Sequence, residues 1–263
     1  MPSPLQSPCA EIDAQLIDRV LEITINRPAR KNALTQAMYS AMAELLNEAA
    51  SNPQVRAVIL TGAGGAFTSG NDLADFLGGS ASSEESPVFQ FMMALYQFPK
   101  PVIAAVSGVA VGIGTTLLLH CDLAIAEDEA VFQMPFVNLG LCPEYASSLI
   151  LPRIMGQSKA AELLLLGNKF DAQTAASVNI CNEVVFSGEA LGRARAYAAE
   201  LAKKAPEAVR LSKKLLRQGT YEAGLAAIRE EARYFQERLQ SEEFREAATA
   251  FMEKRPADFS RFE

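Results

Sequence analysis

The sequence is poor in the residues that build metal centres and catalytic triads. It contains one histidine, His120, and four scattered cysteines that form no CxxC pair. A structural zinc site takes several such ligands, and triad chemistry takes a histidine base, so the composition argues against both. Cysteines without a disulfide framework are typical of reduced, intracellular thiols.

Long apolar runs and a positive charge balance are also missing. No stretch of about 20 apolar residues occurs, and "MPSPLQSPCAEID" at the start has no apolar core segment. The final "SRFE" is neither a peroxisomal nor an ER-retention signal. The net charge of −7 argues against a nucleic-acid or anionic-membrane surface. We therefore expect a cytoplasmic protein with no nucleic-acid or membrane partner.

Hydrophobic patterning predicts an α/β core followed by helices. Apolar and polar residues alternate from Leu21 to Asn26, and "VRAVILTG", "PVIAAVSG" and "DLAIA" are short apolar runs, so each predicts a strand. Helical spacing from Leu34 to Ala49 predicts a helix capped by Thr35, and "GTTLLLHCD" predicts a buried helix. The charge-laced patterns after Ser187 are helical. We expect an α/β core over residues 1–200 and a helical region over residues 201–263.

Two glycine-bearing segments are candidate ligand loops. In "AFTSGNDL", Gly70 lets the backbone approach a ligand closely, and exposed N–H groups there can bind an oxyanion. In "SGVAVGIGTTLLL", the N–H groups of Ile113 and Gly114 fall at a helix start. On residue chemistry alone, a solvated loop explains the first segment better than a ligand site does, and close helix packing explains the second equally well. Neither segment carries a full dinucleotide or phosphate-loop motif.

Glu144, in "NLGLCPEYASS", has two interpretations. Pro143 and Glu144 fit the first turn of a helix, where a glutamate complements the dipole and only adds stability. An apolar pocket would instead raise the pKa of the carboxyl group toward that of a working base. His120, within "LLLHCD", is predicted to be a core residue and not a catalyst.

Taken together, these segments resemble the crotonase (enoyl-CoA hydratase/isomerase) superfamily. The matching stretches, in the family's order, are "LEITINRPARKNALT", "VRAVILTGAGGAFTSGNDL", "FPKPVIAAVSGVAVGIGTTLLLHCDLAIA", "FQMPFVNLGLCPEYASSLILPRIMG" and "FMEKR". The resemblance implies a stacked ββα superhelical core with a C-terminal α-helical oligomerisation region. It also implies an acyl-CoA thioester substrate, no cofactor beyond the CoA of that substrate, and a homotrimer or hexamer.

The resemblance also assigns catalytic roles. It places the two oxyanion-hole donors at the N–H groups of Asn71 and Ile113. The two glutamates of the hydratases correspond to Thr116 and Phe136, which cannot transfer a proton as a carboxylate does. The remaining carboxylate, Glu144, looks like the base of the Δ3,Δ2-enoyl-CoA isomerases of peroxisomal type. These enzymes shift the double bond of a 3-enoyl-CoA to the 2-position.

Further positions are implied to contact the substrate. They are Arg30, Lys31, Ser69, Gly70, Asp72, Leu73, Gly112 and Lys254. Lys254, in "FMEKR", resembles a lysine that reaches the nucleotide site of a neighbouring subunit, although each of these cations equally fits a solvated surface. Two alternatives stay open, which are another crotonase-type acyl-CoA enzyme such as a hydratase, and a non-catalytic acyl-CoA-binding protein.

Overall fold

The computed structural model describes residues 5–72, 74–75 and 84–262. In spatial order, its main sheet contains β1 (Ile12–Ile17), β2 (Val20–Ile25), β3 (Ala57–Gly62), β4 (Val102–Val106), β6 (Leu123–Glu127) and β9 (Glu183–Val185). Only β1 and β2 pair antiparallel, and the other neighbours are parallel. A smaller sheet contains β5 (Val109–Val111), β7 (Val131–Gln133) and β8 (Phe170–Asp171).

Helices cover both faces of the main sheet and fill the C-terminal region. Within the described ranges they include α1 (Gln36–Ser51), α2 (Pro87–Tyr96), α3 (Ile113–Thr116), α4 (Ser147–Met155), α5 (Gln157–Leu166) and α6 (Ala172–Ser177). The last four are α7 (Ala190–Ala202), α8 (Pro206–Gln218), α9 (Tyr221–Leu239) and α10 (Glu242–Glu253). Short 3-10 helices span Pro28–Arg30, Leu117–His120 and Val137–Leu139. Among the described residues, no helix has the length and apolarity needed to cross a bilayer.

The central strands are apolar throughout because both of their faces are buried. In β3, Val58 and Leu60 face the main core, whereas Ala57 and Ile59 face a second cluster against α7. This is the pattern expected for a parallel sheet with helices on both sides. The predicted α/β core with a C-terminal helical region is confirmed, and the division of the chain at residue 200 stays a prediction.

A half-buried to buried charged cluster joins α8 to the core. Asp122, just before β6, accepts a hydrogen bond from the Lys213 ammonium group at 2.6 Å and one from the Arg217 guanidinium group at 3.2 Å. Lys213 also donates to the Lys100 carbonyl at 2.6 Å, and Arg217 donates to the His120 carbonyl at 2.6 Å. Both carboxylate oxygens of Asp122 therefore have a cationic partner, and the interaction is structural.

Candidate active site

The loop after β3 packs directly against the segment after β4. The Thr68 N–H donates to the Val109 carbonyl at 2.9 Å, and the Val111 N–H donates back to the Thr68 carbonyl at 3.0 Å. Gly70 has a φ of +88°, and a Cβ there would lie 2.7 Å from the Val111 carbonyl oxygen. Glycine is therefore required at this crossing both by backbone conformation and by close approach.

Asn71 and Ile113 follow this crossing, one on each of the two segments. Gly112 adopts φ 57° and ψ −120° immediately before α3, and a Cβ added there would point into open space. Within the described part of the chain, neither the Asn71 N–H nor the Ile113 N–H donates to a protein acceptor. Backbone donors without a partner are rare inside proteins, so both are available to a ligand oxygen. Their joint role as an oxyanion hole stays a prediction.

A buried asparagine, Asn32, holds the "NRPARKNAL" segment against these loops. Its amide nitrogen donates to the Ala63 carbonyl at 2.9 Å and to the Ala66 carbonyl at 2.6 Å. The Thr68 hydroxyl group donates to the Asn32 carbonyl at 2.6 Å. Asn32 itself lies in the left-handed region with φ 56°, a conformation that asparagine tolerates better than most residues. Sequence reasoning missed this residue, although an asparagine before an apolar helix is a recognisable turn signal.

The cations predicted to contact CoA lie at the surface near these loops or at the C-terminal end. Arg30 and Lys31 are exposed, as is Lys254 at the end of α10. None of the three pairs with a carboxylate among the described residues. Ser69 donates its N–H to the Lys31 carbonyl at 2.9 Å and its hydroxyl group to the Arg30 carbonyl at 3.3 Å. The contacts of these side chains with a substrate stay predictions.

Asp72 is engaged within the protein. Its carboxylate accepts a hydrogen bond from Arg27 at 2.6 Å, and Arg27 also pairs with Glu11 at 3.0 Å. The N–H groups of Ala74 and Asp75 donate to the other Asp72 oxygen at 3.1 and 3.3 Å. The Arg27 hydrogen bond is the main reason that the pKa of Asp72 lies below its usual value. Leu73, also predicted to contact the substrate, lies outside the described residues.

Glu144 does not lie in a helix, so the prediction that it occupies a first helical turn is wrong. Helix α4 begins at Ser147, because Tyr145 and Ala146 both have left-handed backbone conformations, with φ of 59° and 56°. The Ser147 N–H and hydroxyl group bond back to the Glu144 carbonyl at 3.1 and 2.6 Å. The Tyr145 hydroxyl group donates to the Met92 carbonyl of α2 at 2.7 Å. These bonds form a tight turn that carries Glu144 into the protein.

The Glu144 carboxyl group is buried and incompletely hydrogen-bonded. The residue is 5% exposed, and within the described structure its Oε1 atom has no hydrogen-bond partner. Burial, followed by the negative charge of Glu231, raises the pKa of Glu144 to about 8. A buried polar atom without a partner calls for an explanation, and a reacting group is one.

Tyr39 connects Glu144 with the predicted oxyanion loop. This buried residue of α1 donates its hydroxyl group to the Asn71 side-chain oxygen at 2.5 Å. Its pKa lies well above the usual value because of burial and the charge of Glu144. The carboxyl group of Glu144 and the residue Asn71 are therefore both neighbours of one phenol. Nothing in the sequence singles out Tyr39, since it falls among the apolar positions of a helix.

Glu231, on α9, was also missed by sequence reasoning. Its carboxylate accepts hydrogen bonds from the N–H groups of Ala146 at 2.5 Å and Ser148 at 3.0 Å, and from the Ser148 hydroxyl group. Glu231 thus occupies the start of α4, where Glu144 was expected. One signal was present, because Ile228, Glu231 and Phe235 share a helical face and the two flanking residues are apolar.

The other residues that the sequence weighed lie in the core. Thr116 is buried, and its hydroxyl oxygen has no partner within the described residues. Phe136 is buried against Phe235, edge to face, with ring centroids 6.4 Å apart. The His120 Nε2 atom donates to the Tyr145 carbonyl at 2.7 Å, and burial lowers the pKa of its imidazole to about 3. The prediction that His120 is a core residue is confirmed.

Known proteins are similar in sequence to most of this chain. Residues 17–261 match the model of the family described as enoyl-CoA hydratase/isomerase. The chain is 38% identical over 247 residues to enoyl-CoA delta isomerase 2 of Rattus norvegicus. The matched region covers 90% of this chain but only 62% of the rat protein. It is 37% identical over 247 residues to a protein of Rhodobacter capsulatus named probable enoyl-CoA hydratase, covering 90% and 93% of the two chains.

A solved structure shows the same fold. The structure of Pseudomonas aeruginosa OdaA superimposes with a TM-score of 0.90 and 50% sequence identity, covering 93% of this chain and 99% of that one. The family match spans nearly the whole chain, from β1 to the residues after α10. The chain therefore belongs to the enoyl-CoA hydratase/isomerase family, the crotonase superfamily that its motifs resemble.

Proposed function

We propose that the protein is an isomerase that moves the double bond of a 3-enoyl-CoA to the 2-position, with Glu144 as its single proton carrier. The observation that carries this proposal is the buried, incompletely hydrogen-bonded carboxyl group of Glu144. The two positions that correspond to the hydratase glutamates are occupied by Thr116 and Phe136. A reaction that exchanges one proton between two carbons of the substrate fits a site with one such carboxyl group.

The proposed reaction is a proton transfer with charge stabilisation. The Glu144 carboxylate removes a proton from C2, and the electron pair of the broken C2–H bond is delocalised over the thioester carbonyl and the C3–C4 double bond as a dienolate. The N–H groups of Asn71 and Ile113 stabilise the charge that develops on the thioester oxygen. Loss of one such donor costs about 2.7–4 kcal/mol in other enzymes. Protonated Glu144 then returns the proton to C4, so atoms and charge balance without a cofactor or a water molecule.

The electrostatics of Glu144 suit this role. A base that abstracts a weakly acidic carbon proton works best with a pKa near the operating pH. Burial supplies the upward shift to about 8, which makes the ionised form more basic than an exposed glutamate. With this pKa, both forms are populated near neutral pH, so the ionised form accepts the C2 proton and the resulting acid returns it to C4.

The test is an assay of the purified protein with 3-enoyl-CoA and 2-enoyl-CoA. We expect the wild type to convert the 3-enoyl substrate, and Glu144→Gln to lose about 10³-fold or more of that rate. The matched control is Glu129→Gln, which removes an exposed carboxylate between β6 and β7 and should keep full activity. Absence of 3-enoyl turnover in the wild type, or equal turnover in Glu144→Gln, would contradict the proposal.

Hydration of 2-enoyl-CoA is the second candidate activity. It is favoured by the similarity to the Rhodobacter protein and by the buried Thr116 hydroxyl group, which has no partner in the described structure and could hold a water molecule. The same assay detects it as formation of 3-hydroxyacyl-CoA. Loss of that product in Thr116→Val, with isomerisation retained, would establish hydration as an activity of its own. Binding of acyl-CoA with no turnover of either substrate would indicate a binding protein.

We also propose assembly as a homotrimer or hexamer, through the C-terminal helices. Helix α8 exposes Leu211, Leu215 and Leu216, with relative exposures of 56%, 58% and 87%. Exposed leucines spaced along one helix are typical of an interface. The mass in solution, measured by light scattering, distinguishes a trimer from a hexamer and from a monomer. The cytoplasmic location stays a prediction.

A further inference from the structure

The buried carboxylate of Glu231 reaches the Glu144 turn from the C-terminal helical region. Both of its oxygens accept hydrogen bonds: one from the Ala146 N–H, the other from the Ser148 N–H and hydroxyl group. A protonated carboxyl group would present one O–H donor to these donors. The geometry therefore favours the ionised form, which is an acceptor at both oxygens.

This carboxylate replaces a cap that the local sequence does not supply. The residue before α4 is Ala146, which has no side-chain acceptor and lies in the left-handed region. Helix starts are normally capped by an asparagine, aspartate, serine or threonine at that position. Here the N–H groups at the start of α4 are bound by a side chain from α9, 85 residues further along the chain.

Glu231 is also the charged neighbour of the base. The titratable groups that face Glu144 are Tyr39 from α1, Glu231 from α9, and Cys142 and Tyr145 from its own segment. Burial raises the pKa of Cys142 to about 11 and holds those of both tyrosines well above their usual range. Burial also raises the pKa of Glu231, but the hydrogen bonds from Ser148 and Ala146 oppose that shift and favour its charged form.

We propose that Glu231 is a positioning residue, which fixes the left-handed turn that carries Glu144 and places a negative charge near the catalytic carboxyl group. The inference rests on the proposed function of Glu144. It gives the C-terminal region a direct part in the active site, because α9 sets both the place and the basicity of the base. Glu231 does not touch the reacting atoms in this proposal and transfers no proton.

The effect of the Glu231 charge is tested by titrating the Glu144 carboxyl group, independently of turnover. The infrared band of the protonated Glu144 carboxyl group is isolated by subtracting, at each pH, the spectrum of the same protein with Glu144→Gln. We expect a midpoint near pH 8 in the wild type. In Glu231→Gln it should fall by about half a pH unit or more, because removing a nearby like charge favours ionisation. An unchanged midpoint in folded Glu231→Gln would overturn the proposal.

The matched control is Glu230→Gln. Glu230 neighbours Glu231 on α9 but is exposed, so removing its charge should leave the Glu144 midpoint within about a tenth of a unit. An equal shift in both variants would mean that the overall charge of α9, and not the placement of Glu231, acts on Glu144. If Glu231→Gln does not fold, Glu231→Ser is measured instead, since it is neutral and leaves room for water beside both N–H groups.

Positioning is tested separately with Glu231→Asp, which keeps the charge but is one methylene shorter. We expect a midpoint closer to that of the wild type and a kcat reduced several-fold with little change in KM. Wild-type kcat in folded Glu231→Asp and Glu231→Gln alike would overturn the positioning role. If the wild type proves inactive on 3-enoyl-CoA, the isomerase proposal fails, while the infrared titration still decides whether Glu231 sets the basicity of Glu144.

Discussion

Two charged regions of this protein differ in how completely their carboxylates are paired. At the Asp122 cluster, each carboxylate oxygen has a cationic partner, Lys213 or Arg217. In the turn that carries Glu144, one carboxyl oxygen has no hydrogen-bond partner within the described structure, and the neighbouring charge, Glu231, is of the same sign. The paired cluster holds α8 to the sheet, whereas the unpaired group retains basicity that pairing would remove.

The difference teaches that burial alone does not distinguish a structural charge from a reactive one. Lys213 and Glu144 are both buried, and burial shifts both of their pKa values toward the neutral form, each to about 8. The charge of Asp122 opposes the shift of Lys213, while the charge of Glu231 increases that of Glu144. The two regions therefore differ in whether the nearest charge is opposite to that of the buried group, as for Lys213, or of the same sign, as for Glu144.

The largest expected effect comes from removing the ionisable carboxyl group of Glu144. Glu144→Gln should reduce kcat on 3-enoyl-CoA by about 10³-fold or more, because an amide cannot accept the C2 proton. The same variant should bind the CoA thioester with nearly unchanged Kd, which calorimetry measures. A comparable loss of binding would mean that Glu144 holds the substrate and does not act on it.

In the Asp122 cluster, neutralising one cationic partner should lower stability and leave turnover unchanged. Lys213→Met leaves Asp122 with Arg217 alone and should lower the free energy of unfolding by about 3 kcal/mol, the cost of breaking a buried pair. Urea unfolding measures this change. The neighbouring exposed residue provides the control, Lys214→Met, for which we expect less than about 0.5 kcal/mol. A large loss of kcat in folded Lys213→Met would remove the distinction between the two regions.

The stability of the folded protein should fall as rising pH ionises Glu144, which is opposite to the effect of ionising a carboxylate that is paired with a cation. The folded-state pKa of Glu144 is raised from the ordinary value of 4.5 to about 8, so the folded protein binds this proton more tightly than the unfolded chain does. Its contribution to stability is present below pH 4.5 and is lost as the pH rises to 8. Glu144→Gln cannot ionise and should gain Tm over the wild type progressively between pH 5 and 8, equivalent to about 1–3 kcal/mol.

The ionisation of Glu144 also predicts the result of a control variant and the pH dependence of kcat/KM. Glu129→Gln should follow the wild-type Tm at every pH, because the carboxylate it replaces is exposed. In the wild type, kcat/KM for 3-enoyl-CoA should rise tenfold per pH unit at low pH and level off above about pH 8, since the base must be ionised. A Tm difference that does not change with pH would show that Glu144 is not held in its protonated form.

Sequence reasoning predicted the features that depend on local pattern. The runs at β3 and β4 indicated buried strands because both faces of a covered parallel sheet are apolar. Thr35 caps α1 as predicted, accepting a hydrogen bond from the Met38 N–H at 3.4 Å. The lone histidine was assigned to the core because it lies in an apolar run.

The features that the sequence did not reveal depend on contacts between distant segments. Glu144 looked like a helix-start residue because proline and glutamate favour that position locally. The left-handed pair Tyr145 and Ala146 overrides this preference, and it is held by a bond to α2 and by Glu231 from α9. No local propensity encodes a carboxylate 85 residues away. The pairing of Tyr39 with Asn71 is of the same kind.

The smallest expected effect concerns Arg30 and Lys31, exposed cations without a carboxylate partner in the described structure. If they contact CoA phosphates, Arg30→Gln and Lys31→Gln should each raise KM for acyl-CoA about two- to fivefold at low salt, with kcat unchanged. The increase should shrink at high salt and vanish for an acyl N-acetylcysteamine thioester, which lacks the nucleotide. The control is Lys159→Gln, which removes a half-buried cation already paired with Glu162. An equal KM increase for both thioesters would place the effect at the acyl end, away from the phosphates. In that case, unpaired charge in this protein would mark the reaction centre alone and not the CoA-binding surface.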